Sequence, residues 1–178
     1  MSEAKPLPIE YAPAYAVPGL EFEVWDGQYN MARPMTLMAL RELLPLAQGL
    51  TAAERSDPTV TAVAVGSRRL RLARQMGAND VVHTVRRGFQ LGLIVCAPVA
   101  PDEWPIEELS VTEAEHIRLA SIGLSVKRAA VARERRVTPK WVGTVRSTAE
   151  RKLHARNMAH AVSIQYALGK FTDQGIYS

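Results

Sequence analysis

Wound at 100° per residue, Lys140, Thr144, Ser147 and Arg151 fall within an arc of about 60° on one side of a single helix. Val142, Val145, Ala149 and Leu153 form a narrow aliphatic stripe on the other side. The outer face therefore offers two cations and two short hydroxyls, with no carboxylate at its centre. Such groups meet phosphate oxygens and the base edges of a duplex major groove. Thr138, Arg146 and Lys152 extend the same surface. Residues 126–156 hold ten Lys or Arg against Glu134 and Glu150, a net of +8, while the whole chain carries only +4. Residues 1–30 hold five carboxylates against Lys5, a net of −4. A basic window of this density is the electrostatic footprint of a polyanion, because each neutralised phosphate releases condensed counterions.

Other chemistries find little support. His83, His116, His154 and His160 have no Cys or carboxylate at metal-ligand or catalytic spacing, and the single Cys96 excludes an internal disulfide and a cysteine-rich zinc site. The expectation is a protein that is not an enzyme and needs no cofactor or metal. Cys96 follows an aliphatic run and reads as a small buried residue. Trp141 reads as edge packing, and Trp25 and Trp104 as anchors for the arm and the linker. The 178 residues, 47% of them apolar, allow one ordinary domain or two small ones. No apolar run nears the ~20 residues of a membrane span and no leader opens the chain, so a cytoplasmic, nucleoid-associated product without membrane contact is expected.

The elements that must position the basic helix are readable in the C-terminal half. Ser110-Val-Thr-Glu113 forms a capping box, and the helix behind it should bury Ala114, Ile117, Ser121 and Leu124. Gly123 suits a left-handed turn. Ser125 caps a second helix, Val126 to about Glu134, with Ala129, Ala130 and Val131 small enough for close packing. Arg135-Arg136-Val137 turns the chain. Thr138 caps the third helix, with Pro139 at its first position. Asn157 caps a fourth, burying Met158, Ala161, Ile164 and Leu168 and ending at Gly169.

Leu109-Ser-Val-Thr-Glu-Ala-Glu, Gly123-Leu124-Ser125, Val137-Thr138, Val142, Arg151-Lys152-Leu153, Ala155-Arg156-Asn157, Ala161-Val162 and Gly169 together resemble the LuxR/GerE-type DNA-binding domain over residues 109–171. The resemblance implies a four-helix fold whose third helix lies in the major groove and whose fourth often dimerises. The turn before the third helix is about two residues longer than the family's, and Gly143 stands where the family often has a basic contact.

The N-terminal half repeats this pattern. Met35-Thr36 and Gly49-Leu50-Thr51 match Leu109-Ser110 and Gly123-Leu124-Ser125 at an offset of 74. From Val60 the offset is 77, and residues 60–94 contain eleven identities with their counterparts, against roughly two or three by chance. The fold class expected is mostly α: two small helix-turn-helix, LuxR/GerE-like four-helix units in tandem. They comprise 34–97 and 109–171, joined by a Pro-rich linker 98–108, with an irregular acidic arm 1–33 and a tail 172–178. Leu20–Tyr29 reads as a short hairpin turning at Asp26-Gly27. At the positions of Lys140, Thr144, Ser147 and Arg151 the first unit has Val63, Ser67, Leu70 and Arg74. With Arg68, Arg69 and Arg71 it stays basic, so phosphate contact survives there while base reading is degraded, and the unit either binds backbone or pairs with another subunit.

A rival reading of the first unit stands beside this. Val60–Val65 has strand propensity, and Thr61–Val65 with Arg69–Ala73 and Val81-Val82 is similar to a strand–helix–strand piece of nicotinamide-dependent alcohol dehydrogenases. The Gly-rich phosphate turn such a piece requires is missing upstream. The leading function is a sequence-specific double-stranded DNA-binding transcription regulator, bacterial or of a phage or plasmid. The alternatives are a DNA-organising or segregation protein on repeated sites, and an interaction module for an acidic partner. The implied partners are duplex DNA, a second copy as a homodimer, and RNA polymerase or a regulatory protein. The acidic arm is expected to fold over the basic face as a competitor for DNA.

Overall fold

The computed structural model describes residues 7–11, 22–26, 31–35, 40–55, 59–100, 102–104, 106–132 and 137–171, the two strands at 22–26 and 31–35 by their backbone alone. These residues are mostly helical. In chain order they form β1 (Ile9–Tyr11), β2 (Phe22–Asp26), β3 (Met31–Met35), α1 (Leu43–Ala47), α2 (Ala52–Arg55), α3 (Ala62–Gln75), α4 (Val81–Gln90), β4 (Ile94–Cys96), α5 (Val111–Ser121), α6 (Val126–Ala132), α7 (Pro139–Lys152) and α8 (Met158–Ala167).

The internal repeat reaches down to the backbone. α3 and α7 are each 14 residues long and α4 and α8 each 10, and each pair starts and ends 77 residues apart. Their caps match as well. The Thr61 and Thr138 side chains accept from the amides of Ala64 and Trp141, and those of Asp80 and Asn157 from the amides of His83 and His160. The left-handed positions pair in the same way: Gly49 with Gly123, Gly77 with His154 and Gly92 with Gly169, all at φ between 52° and 77°. Three turns of identical handedness thus close the helices of both sets.

The two sets share a core. One cluster of buried side chains runs from Leu40, Leu43, Leu72 and Val85 to Ile117, Leu153, Val162 and Ile164. At its centre α4 lies against α8. Around that contact the packing is reciprocal: α1 touches both α4 and α8, and α5 touches both α8 and α4. A Cβ on Gly49 would stand 2.8 Å from that of His160, and a Cβ on Gly123 would stand 2.8 Å from that of Asn79. The turn after the first helix of each set is thus pressed against the start of the fourth helix of the other. This is the isologous pattern of a two-fold dimer, made within one chain. Asn157 Nδ2 donates to the Gly49 carbonyl at 2.8 Å, Arg156 faces Glu54 at 3.6 Å, and Arg86 donates to Ser121 Oγ across the same seam. Nine of the ten residues of α8 are buried, as a helix enclosed on every side requires.

Where expectation and structure differ, packing is the cause. Thr61–Val65 is not a strand: its cap and the burial of Val65 and Leu72 commit it to α3, leaving Val60 in an isolated bridge. Val81-Val82 likewise opens α4, so the dehydrogenase-like strand–helix–strand piece is absent. Ala114 is exposed because α5 turns Glu113, His116 and Ile117 inward instead, and Val131 is 83% exposed on α6. The hairpin pairs Phe22–Asp26 with Met31–Met35, so Asp26 ends a strand rather than making a two-residue turn. The arm's boundary at 33/34 falls within β3, which lies beside α3. Gly27, Thr36, residues 133–136 and the tail 172–178 lie outside the described residues, as do the Trp25 side chain and most of the acidic arm.

The described inner piece of the arm is structural. β1 pairs antiparallel with β4, Leu7 and Ile9 are buried, and Gln48 clamps Leu7 through Nε2 to its carbonyl at 2.8 Å and Oε1 from its amide at 3.2 Å. Cys96, in β4, is half-buried, which pushes its thiol up to about 11. In the linker, buried Trp104 donates Nε1 to the Leu153 carbonyl at 3.2 Å, tying residues 102–104 to the end of α7.

The shared core predicts that residues 1–104 and 105–178, expressed separately, show no cooperative thermal transition, and that mixing them restores one. Independent melting of either piece would contradict the shared core. A second expectation concerns His160, whose Nδ1 accepts from the Arg156 amide at 3.2 Å in the seam. Burial, aided by Arg156, pushes its imidazole from an ordinary 6.5 down to about 4. Between those values the unfolded chain binds more protons, so this contribution is complete above pH ~7 and is lost as pH falls. Urea unfolding should lose about 2 kcal/mol from this group between roughly pH 7.5 and 5. The loss should be clearly smaller in His160→Gln, where a neutral side chain can still cap.

Candidate nucleic-acid interface

α7 is held from beneath by a small cluster of its own. Val142 is fully buried with Leu119, Ala129 and Ala130, and Ala149 and Leu153 join the main core. That anchoring decides which side faces solvent: Thr138, Lys140, Thr144, Ser147 and Arg151 are all exposed. Thr144 Oγ1 donates to the Lys140 carbonyl at 3.1 Å, a local bond that leaves its lone pairs outward. Arg151 meets Glu107 at 2.7 and 3.4 Å. Both partners are exposed, and an ion pair in that setting contributes little, so a phosphate competes readily for this guanidinium.

Other basic residues of the expected surface turn inward. Arg146 Nη2 donates to the Leu124 carbonyl at 2.7 Å, bracing the turn between α5 and α6, and burial pushes its pKa down. Lys152 bonds the Glu108 carbonyl at 3.1 Å and Glu113 at 2.9 Å, joining the end of α7 to the capping box of α5. In the first set Arg69 is 7% exposed, 3.6 Å from buried Glu42, with Nη2 donating to the Thr51 carbonyl at 3.4 Å. Arg68 is half-buried, 3.9 Å from the same carboxylate. Arg69, Arg146 and Lys152, expected as duplex contacts, thus have internal work as helix braces. Exposed on α3 are Ser67, Arg71 and Arg74, together with Val63, Leu70, Ala62 and Gly66.

Sequence reasoning did not find the carboxylates behind these braces. Glu42 sits at the repeat position of His116 and Arg69 at that of Arg146. The first set therefore holds its brace with a buried ion pair. The second puts neutral His116 beside the arginine, its ring edge-on to Trp141 at 5.5 Å, and burial with Arg146 lowers its pKa. The repeat offset was the available signal, since it places Glu42 and His116 at one structural position.

Gly66 and Gly143 occupy matching places near the middle of the two long helices. Neither has positive φ, and a Cβ on either would meet nothing within 4 Å. They are required neither by the turn of the backbone nor by internal packing, yet an interior helical glycine costs about 1 kcal/mol relative to alanine. Among the described residues no group of three His, Cys, Asp or Glu is placed to hold a metal ion, and no helix is long and apolar enough to cross a membrane.

Comparison of the chain with protein-family models, with curated proteins and with solved structures finds no match in any of the three.

Because the space above both glycines is open, Gly66→Ala and Gly143→Ala should each raise unfolding stability by about 0.5–1 kcal/mol. Chemical denaturation checks this, and a loss of stability in either variant would mean that the fold itself needs the glycine.

Proposed function

We propose that this chain is a sequence-specific double-stranded DNA-binding protein, a transcription regulator built from tandem helix-turn-helix units, in which α7 enters the major groove. The observation that carries the reading is the outward strip of α7: Lys140, Thr144, Ser147 and Arg151, all exposed, on a helix whose opposite face is fixed in two clusters of the core. The contacts of α5 and α6 with α7 support this reading, since a helix-turn-helix presents its recognition helix on the helices before it. The reciprocal seam supports a covalent pseudo-dimer: one chain supplies two long basic helices about one internal near-two-fold relation, and nucleoid association follows from duplex binding.

Gly66 and Gly143 fit the same reading. A missing side chain on an exposed helix allows close approach from outside, and a phosphate backbone or groove wall is such a body. The two glycine variants should therefore bind duplex more weakly although they are more stable, a pairing of signs that a purely structural role does not produce.

The decisive measurement is the affinity of the full chain for duplex as a function of salt. Binding to random-sequence duplex should weaken steeply between about 50 and 200 mM salt, and Lys140→Ala and Arg151→Ala should each lower the slope of log K against log salt by about one. If random duplex is not bound at low salt, or if both variants keep the wild-type slope, the proposal is wrong.

A further inference from the structure

The outer face of α3 differs chemically from that of α7 in a way that a duplicated duplex-binding helix must account for. Val63 is 80% exposed and Leu70 54%. At 100° per residue, Val63, Ser67, Leu70 and Arg74 lie within about 60°, the same arc as the strip on α7. Val63 and Leu70 are seven residues apart, about 10 Å along the axis, close to three base-pair steps of about 3.4 Å. Gly66 lies about 40° beyond this arc, with open space above it. α3 contains no carboxylate; Arg69 is buried against Glu42 and Arg68 half-buried beside it, while Arg71 and Arg74 are exposed and keep the surface around the apolar groups cationic.

That charge selects the occupant. A second copy meeting this face would bring two helices of like charge together. The two-fold contact that a dimer of such units would need is already made inside the chain. A duplex brings phosphates for exposed Arg71 and, in its major groove, one exposed apolar group: the C5 methyl of thymine.

We propose that α3 is the thymine-reading half of the duplex interface. Val63 and Leu70 take C5 methyl groups, Ser67 lies between them, and the chain reads an asymmetric site, one half by methyl contact and the other by hydrogen bonds from α7. The inference rests on the duplex-binding reading above and narrows it to a substrate preference for the first unit.

The test begins with selection of bound sequences from a random duplex library by the full chain. Failure to enrich any sequence, with salt-dependent binding intact, defeats sequence reading in both units and this inference with it. Once a site is in hand, thymine is replaced by deoxyuracil in one half at a time, which removes only the methyl group. Affinity should fall about fourfold per contacted methyl in one half and stay unchanged in the other. The double variant Val63→Ser, Leu70→Ser should bind the thymine and uracil sites equally. Lys140→Ala should weaken binding without altering the methyl effect. The inference is overturned if uracil changes affinity less than twofold in both halves, or if the double variant keeps the methyl effect. It is equally overturned if the double variant converts a dimer into a monomer by sedimentation, which would make the face a protein contact. Both substituted side chains are exposed, so an unchanged thermal transition verifies that the fold is intact.

Discussion

A side chain on Gly49 would collide with His160, and one on Gly123 would collide with Asn79 and His83. Everything else in the molecule depends on these two close approaches. They let the turn behind each first helix reach the start of the opposite fourth helix, and so bring α4 and α8 together along a single buried seam. Both glycines also hold left-handed backbone, at φ of 73° and 77°. The conformation that ends a helix and the absence of a Cβ that admits a neighbour are thus required at the same residue. A substitution at either position meets both penalties at once.

The seam explains why so many polar groups are buried. His83 and His160 accept backbone amides at the beginnings of α4 and α8, each at 3.2 Å. In that role the imidazole must be neutral, and burial favours that form. Arg86, 3% exposed, bonds Ser121 and lies 5.1 Å over the Phe171 ring. Arg87 donates to the Met76 carbonyl at 3.1 Å. Buried polar groups with directional partners specify one relative placement of the two sets, where apolar packing alone would tolerate sliding. The outward faces of α3 and α7 inherit their relation from that placement.

The two sets have diverged around a common frame. The frame keeps the lengths and caps of its third and fourth helices, its left-handed turns and a brace from an arginine on the long helix to the preceding turn. Divergence lies in what surrounds it. The first set pairs its brace with a buried carboxylate, carries β1 and β4 alongside and presents valine and leucine outward. The second uses a histidine for the carboxylate and presents lysine, threonine, serine and arginine. Change at one buried brace position, in the flanking strands and on the outward faces leaves one shared core with two chemically distinct faces.

Much of this frame could be read from the residues. Caps, capping box and left-handed glycines are local: a side-chain oxygen three residues before an amide, or a residue with no Cβ, acts through its own backbone, so Ser110, Thr138, Asn157 and Gly123 behave as their types dictate. The period of the aliphatic stripe likewise fixes which side of α7 is outward, and the offset of 77 aligns the repeat. Other features need partners distant in the chain. The strand propensity of Val60–Val65 yields to a helix from Ala62 onward because the Thr61 cap and a core place for Val65 outweigh it. Arg69, Arg146 and Lys152 look like surface cations until Glu42, the Leu124 carbonyl and Glu113 are brought within reach. The seam itself joins residues about a hundred positions apart, such as Asn157 with Gly49. A residue type specifies its bonds to its own backbone, whereas the choice between solvent and a buried partner depends on which distant segment the folded chain sets beside it.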